Sequence, residues 1–329
     1  MNVFITNICN QSCPYCFAKL KTFYDVRNRQ QIQHMSLEKY LICLDFLHKS
    51  HENHLKLLGG EPTLHPEIRQ FIELNLERGI ETTLFTNGLW ETDVQEYFEQ
   101  PNTSSIQFVF NVNELSLQNG REKSLLEQSL KIAGSRAMIG FNIYRIDFDL
   151  TFLGDLIEAF SLQKTIRLGL ASPIVGVEND YIQEGKLKSV GKRLIAQLLA
   201  LEKRDILGSF DCGFPLCLFN QKELGTLALA TKGFFSVCDA IIDVGIDLTV
   251  WPCFPLSNIL NVKMTDFKNL LEIKSFYQKK FNSLRQFGQR ESCLSCKYLR
   301  RSQCSGGCLA RNILLWQKDD PEILAKLNS

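Results

Sequence analysis

The sequence predicts an α/β protein: a parallel sheet flanked by helices, followed by a smaller cysteine-rich region. Three observations carry that expectation. Over the first 205 residues, six short apolar runs alternate with stretches of helical period. After about residue 206 the alternation stops and cysteines crowd in. Between Cys43 and Cys212 there is no cysteine, so thiol chemistry belongs to the two ends of the chain. Alternating β and α segments are the pattern of parallel strands joined by right-handed crossovers. The expected domains are therefore 1–205 and 206–329.

Taken in order, residues 1–6 read as a first strand. Residues 36–49 carry apolar side chains at 37, 40, 41, 44 and 47, a helical period with Ser36 as N-cap. Strands follow at 55–58, 81–85, 105–110, 138–144 and 165–170. Helices fall at 66–78, 91–98, 121–133, 154–160 and 186–202. Beyond them, 234–237 and 248–251 read as the two strands of a hairpin, each running up to a cysteine. Residues 262–281 read as a helix and 292–308 as a compact cysteine-rich knot. The polar stretch 178–188 is either a lid or an ordinary solvated loop. Sites in parallel sheets form beyond the C-terminal ends of strands. Three unusual turns fall there: the cysteine loop after the first strand, Gly59-Gly60-Glu61-Pro62 after the second and Thr86-Asn87-Gly88 after the third.

The bulk numbers exclude several classes. A net charge of +1 gives no electrostatic basis for nucleic-acid binding. No run is apolar enough for a membrane span, and the N-terminus has no signal-peptide pattern, so a cytoplasmic protein is expected. Twelve cysteines in such a chain argue for metal ligation rather than disulfides. Cys43, within a helical period, reads as a small buried hydrophobe.

Cys9, Cys13 and Cys16 form a C-x3-C-x2-C loop. Three is the informative count, because a structural zinc site or an ordinary iron–sulfur cluster takes four ligands. A cluster held by three thiolates keeps one iron open for chemistry. The alternatives are a zinc knuckle with a distant fourth ligand, or reduced thiols without metal.

At these residues the chain resembles the radical S-adenosylmethionine (radical SAM) enzymes. The cysteine loop, with Tyr15 before its last thiol, resembles their signature. Gly59-Gly60-Glu61-Pro62 resembles their SAM-binding turn. The six βα units resemble their partial (β/α)6 TIM-like barrel. The resemblance covers about residues 1–205. It implies that Cys9, Cys13 and Cys16 hold a [4Fe-4S] cluster whose open iron chelates the amino and carboxylate groups of SAM. One electron from an external donor such as flavodoxin or ferredoxin then yields a 5′-deoxyadenosyl radical, which takes a hydrogen atom from the substrate. Gly59 and Gly60 would let the backbone approach the methionine amino group, with Glu61 and Pro62 shaping the turn. Asn87, Asn111, Asn142 and residues 170–171 are candidate nucleoside contacts. Arg145 is a candidate partner for the SAM carboxylate. Turn asparagines and a solvated arginine are the plain alternatives.

The C-terminal half resembles the SPASM extension, which binds auxiliary [4Fe-4S] clusters. Cys293-x2-Cys296-x7-Cys304-x3-Cys308 resembles its core, and Cys238 and Cys253 its opening pair. The middle spacer is seven residues rather than five, Leu248 stands where a glycine is expected, and no cysteine follows Cys308. With Cys212 and Cys217 the region holds eight thiols, enough for two four-thiolate clusters. Sequence proximity groups Cys212, Cys217, Cys238 and Cys253 against the last four. The family instead sends its last core cysteine back to the hairpin cluster. A zinc ribbon on the last four cysteines is the alternative.

Relatives of this kind modify peptides by crosslinking, epimerisation or oxidation, so a peptide substrate is expected. The catalytic loop begins at Cys9, leaving no room for an N-terminal leader-binding domain; leader capture would fall to the barrel surface or a separate protein. A small-molecule substrate remains open, as does a non-catalytic iron–sulfur or zinc-binding electron carrier. In sulfatase-maturating members an Asp follows the hairpin's second cysteine; here Phe254 does. Asp239 and Asp211, each beside a cluster cysteine, are the candidate acid–base residues.

Overall fold

A computed structural model of the chain describes residues 1–21, 33–117, 119–234, 236–287 and 291–328. The elements run β1 (Asn2–Thr6), α1 (Leu37–Lys49), β2 (His54–Gly59), α2 (Ile68–Glu77), β3 (Glu81–Thr86), α3 (Thr92–Phe98), β4 (Gln107–Asn111), α4 (Gly120–Ala133), β5 (Ala137–Ile143), α5 (Thr151–Ala159), β6 (Thr165–Leu170) and α6 (Leu187–Glu202). They continue with β7 (Leu207–Phe210), α7 (Gln221–Ala230), β8 (Asp243–Val244), β9 (Thr249–Trp251), β10 (Val262–Lys263), α8 (Leu270–Phe287), α9 (Glu291–Leu294), α10 (Lys297–Arg300), α11 (Leu309–Asp319) and α12 (Ile323–Asn328). Ser36 caps α1 as expected, its side chain accepting from the Lys39 amide.

One sheet of ten strands runs in the order β10-β9-β8-β1-β2-β3-β4-β5-β6-β7. Strands β1 to β7 are parallel to their neighbours, and β8 lies parallel on the free side of β1. This is the α/β partial barrel the sequence predicts. Alternation divides each strand between two faces. Val3, Ile5, Leu57, Leu84, Phe110, Ile139 and Leu168 pack into the main core with the helices. Their neighbours Lys56, Phe85, Asn111, Asn142 and Arg167 are half-buried on the concave face, the lumen. The Arg167 guanidinium lies 5.1 Å from the Phe85 ring, reaching from β6 toward β3.

Three expectations need correction. A seventh βα unit, β7–α7, follows where the repeats were expected to stop; β7 has only four residues, one of them Gly208, too short to show a period. The hairpin is β8–β9 rather than 234–237 with 248–251: the described residues of 234–237 are not strand, and residue 235 lies outside the described set. Its turn carries Leu248 at φ 64°, the left-handed conformation glycine ordinarily supplies. Third, 262–263 is a strand, and the helix begins only at Leu270.

Candidate active site

The cysteine loop leaves β1 already braced by the turn after β2. The Gly60 amide donates to Thr6 O and the Glu61 amide to Ile8 O, both at 2.8 Å. This continues the β1–β2 pairing into the loop. A Cβ on Gly60 would overlap the Ile8 carbonyl oxygen and stand 2.6 Å from its carbon and 2.8 Å from Cys9 Cβ. One on Gly59 would stand 2.8 Å from Thr6 Cγ2. Both glycines are therefore required by the cysteine loop's own backbone.

Within the loop, the Cys16 amide donates to Cys13 O, and the Gln11 amide donates to Cys9 Sγ at 3.4 Å. Asn113, which follows β4, donates from Nδ2 to Cys13 Sγ at 3.5 Å; sequence reasoning missed it, though it lies two residues past Asn111. Burial first, then the nearby Glu61, Cys16 and Cys13, push the Cys9 thiol up to about 12 against the Gln11 amide bond, which lowers it. Tyr15 is buried and packs on Tyr144, ring centroids 4.6 Å apart. Under the loop, Phe4, Ala18 and Trp251 form a second apolar cluster, with Cys16, Leu58 and Phe254 against it. Phe254 is thus a packing residue at the foot of the loop.

Glu61 is fully buried, and its carboxylate ties two turns together. One oxygen accepts from the Thr63 amide (3.2 Å), Thr63 Oγ1 (2.8 Å) and Thr86 Oγ1 (2.9 Å). The other accepts from the Asn87 amide at 2.7 Å. Burial pushes its pKa up against these bonds, which favour the charged form. The Asn87 side chain donates to Asn10 Oδ1 and accepts from the Leu89 amide, so it too fastens the cysteine loop. Next door, His65 is 2 % exposed; Nε2 donates to Met35 O, leaving Nδ1 to accept from the Glu67 amide. Burial lowers its pKa to about 4.

Asn111 and Asn142 line the lumen, each opposite a glycine on the next strand, Asn111 with Gly140 and Asn142 with Gly169. A Cβ on Gly140 would stand 2.6 Å from Asn111 Oδ1, and one on Gly169 would overlap Asn142 Oδ1. The glycines let each amide lie flat across its neighbour. Arg145 is paired with Glu114 and Asp147, 3.3 Å from the latter. Asp211 pairs with Arg167 on the lumen side. Asp239 is exposed and accepts from the Ala240 amide.

None of the twelve cysteines forms a disulfide. In the C-terminal half, Ser236 Oγ donates to Phe214 O, the Cys238 amide to Ser305 Oγ, and the Ile241 amide to Pro252 O. Arg285 donates to both Ser305 O and Cys238 O. These ties draw the segments bearing Cys212, Cys238, Cys253 and Cys308 together. Burial raises the thiols of Cys212, Cys238 and Cys253, and each of the three is raised further by Cys308. Cys308 thus lies close enough to Cys212, Cys238 and Cys253 to act on each of them, and the neighbouring Leu309 backbone bonds to Cys238. Its separation from Cys304 comes from Gly306 and Gly307, at φ 80° and 90°. On the other side of that turn, Gly306 donates to Cys304 Sγ at 3.4 Å, and a Cβ on Gly306 would lie 3.6 Å from Cys293 Sγ.

Among the described residues, no three or more His, Cys, Asp or Glu side chains are arranged to hold a single metal ion. A tetrahedral zinc site would bring its thiolates to within about 3.8 Å of each other, from Zn–S bonds of about 2.3 Å. The cysteines as they stand are not a preformed zinc site. Cys9, Cys13 and Cys16 stand half-buried on one loop, three thiol donors of the kind that ligate a multi-iron cluster.

Residues 3–125, the stretch that holds the cysteine loop and the Gly-Gly-Glu-Pro turn, match the family model of the Radical SAM superfamily. Over 89 residues it is 33% identical to an S-adenosylmethionine-dependent nucleotide dehydratase of Flammeovirga pacifica, covering 27% of this chain and 30% of that protein's length. Among solved structures, Streptococcus suis SuiB bound to its precursor peptide SuiA superposes with a TM-score of 0.64 at 17% identity, over 94% of this chain and 71% of SuiB. Histidine-tagged anSMEcpe with bound AdoMet gives a TM-score of 0.63 at 17% identity, over 95% of this chain and 85% of the other. Both share the fold. Among the described residues no helix is long and apolar enough to cross a membrane.

Proposed function

We propose that the chain is a radical SAM enzyme that takes a hydrogen atom from a peptide substrate in ribosomal peptide maturation. The observation that carries the reading is the three-thiol loop, braced by the Gly-Gly-Glu-Pro turn at the C-terminal ends of parallel strands. When bound there, a [4Fe-4S] cluster with SAM supplies one-electron cleavage of the sulfonium. Cys9, Cys13 and Cys16 hold the cluster. Gly59, Gly60, Glu61 and Pro62 set the loop's height above the lumen, and Asn111 and Asn142 offer amide groups to the nucleoside. Arg145, already held by two carboxylates, is the weaker candidate for the SAM carboxylate. Asp211, on the lumen face, is better placed than the exposed Asp239 to meet a substrate.

The region 206–329 is read as a SPASM-like domain with two auxiliary clusters. Cys212, Cys238, Cys253 and Cys308 make one set. The fold likeness to SuiB and anSMEcpe extends over this half and supports the peptide reading. A flavodoxin- or ferredoxin-type donor, cytoplasmic location and leader capture by the barrel surface or a separate protein belong to the same proposal. The nucleotide dehydratase likeness favours a second reading, a small-molecule substrate. The test is anaerobic reconstitution, addition of SAM and dithionite, and detection of 5′-deoxyadenosine. A fully iron-loaded chain that forms none refutes the enzyme.

A further inference from the structure

We infer that Cys217 supplies the fourth thiolate of the second C-terminal set, joining Cys293, Cys296 and Cys304. The inference rests on the auxiliary-cluster reading and adds to it a ligand assignment by geometry. Cys308 lies with the hairpin cysteines, which leaves three thiols of the last four. Of these, Cys293 and Cys304 converge from two sides on Gly306. Cys296 is the N-cap of α10, and its amide donates to Cys293 O, so one tight turn carries both cysteines. Two cysteines of this chain then have no assignment. Cys43 is wholly buried in the main core, inside α1.

Cys217 is exposed, in the single turn Leu216–Leu218 just before α7. That turn is anchored on α10: Gln221, the first residue of α7, donates from Nε2 to Tyr298 Oη. Tyr298 is two residues past Cys296. Asn220 and Glu223 form a reciprocal capping box that fixes the start of α7, so the bond to Tyr298 also fixes the turn carrying Cys217. The Phe214 carbonyl accepts from Ser236 Oγ, two residues before Cys238, so the Cys212 end of this segment is tied beside Cys238 while the Cys217 end is tied, through Gln221, to α10.

The test uses the full chain reconstituted anaerobically and read by iron analysis with Mössbauer and EPR spectroscopy. The wild type is expected to hold about twelve irons, four per cluster. Cys217→Ala and Cys293→Ala should each remove or convert the same cluster, a loss of about one to four irons, and the double variant should lose no second cluster. Cys212→Ala with Cys217→Ala should lose both auxiliary clusters. As a check that does not depend on a variant folding, iodoacetamide should alkylate wild-type Cys217 in the iron-free chain and not in the loaded one. Unchanged spectra in Cys217→Ala overturn the assignment, as does Cys217 alkylated equally in both states. A wild type holding only about four irons overturns the auxiliary-cluster reading itself, and the assignment with it.

Discussion

Glu61→Gln isolates what the buried carboxylate does. The two side chains have nearly the same shape, so packing is preserved and only the donor–acceptor pattern changes. Glutamine has one acceptor oxygen. Placed where three donors meet, it keeps the bonds from Thr63 N, Thr63 Oγ1 and Thr86 Oγ1. Its NH2 then faces the Asn87 amide, donor against donor, where a 2.7 Å bond stood. The flipped amide is worse, because it sets NH2 against the Thr63 amide. The loss is one charge-assisted bond with a buried donor left unpaired, about 1–3 kcal/mol. In a chain of this size that lowers Tm by roughly 2–10 °C. The damage should be local: the Thr-Asn-Gly turn loosens from the Gly-Gly-Glu-Pro turn, and Asn87 lets go of Asn10 in the cysteine loop. Thermal unfolding by circular dichroism of the iron-free chain reads the first effect. Iron retained by the N-terminal site after a chelator challenge reads the second. Wild-type values in both assays would refute the tie between the turns.

Gly60→Ala forces a methyl group against backbone that cannot swing aside, so the cost is about 1–3 kcal/mol and the N-terminal cluster's iron should fall while the C-terminal spectra persist; full iron loading would count against the brace. Gly169→Ala overlaps only the Asn142 side chain, the Phe141 carbonyl lying at an ordinary 3.9 Å, so Tm should hold while SAM binding weakens about tenfold by calorimetry; an unchanged Kd excludes Asn142 as a contact. His65 has a folded pKa lowered from 6.5 to about 4, so it favours the fold above pH 6.5 and that stability is lost as pH falls toward 4. Urea unfolding should show a loss of about 2 kcal/mol by pH 5 that His65→Gln abolishes; an identical slope in the variant removes His65 as the cause.

The barrel strands were legible because each buries an apolar face against helices, which leaves an apolar run in the sequence. β7 and the β8–β9 hairpin were not, because strands of two to four residues hold position through neighbours rather than pattern. The cysteine loop was legible through spacing. The work of Glu61 and Asn87 was not, since a carboxylate with four donors and one in solvent look alike in a sequence. Equally hidden was Asn113, whose bond to Cys13 spans a hundred residues. The direction of Cys308 depends on the two left-handed glycines before it, and spacing alone does not fix which way such a turn sends the chain.

The placement of β8 has a consequence for how the protein is made. β1 is made before every other strand of the sheet, yet one of its two edges pairs with residues 243 and 244. Until more than two hundred further residues have been synthesised, that edge offers unpaired amides and carbonyls beside the strand carrying the cysteine loop. Trp251, which packs on Phe4 beneath that loop, arrives later still. Such distant pairing makes late folding steps slow and leaves an adhesive edge in the nascent chain. The first-made cysteines therefore sit in the last-completed part of the sheet, and metal loaded before synthesis ends would meet a loop still lacking its floor.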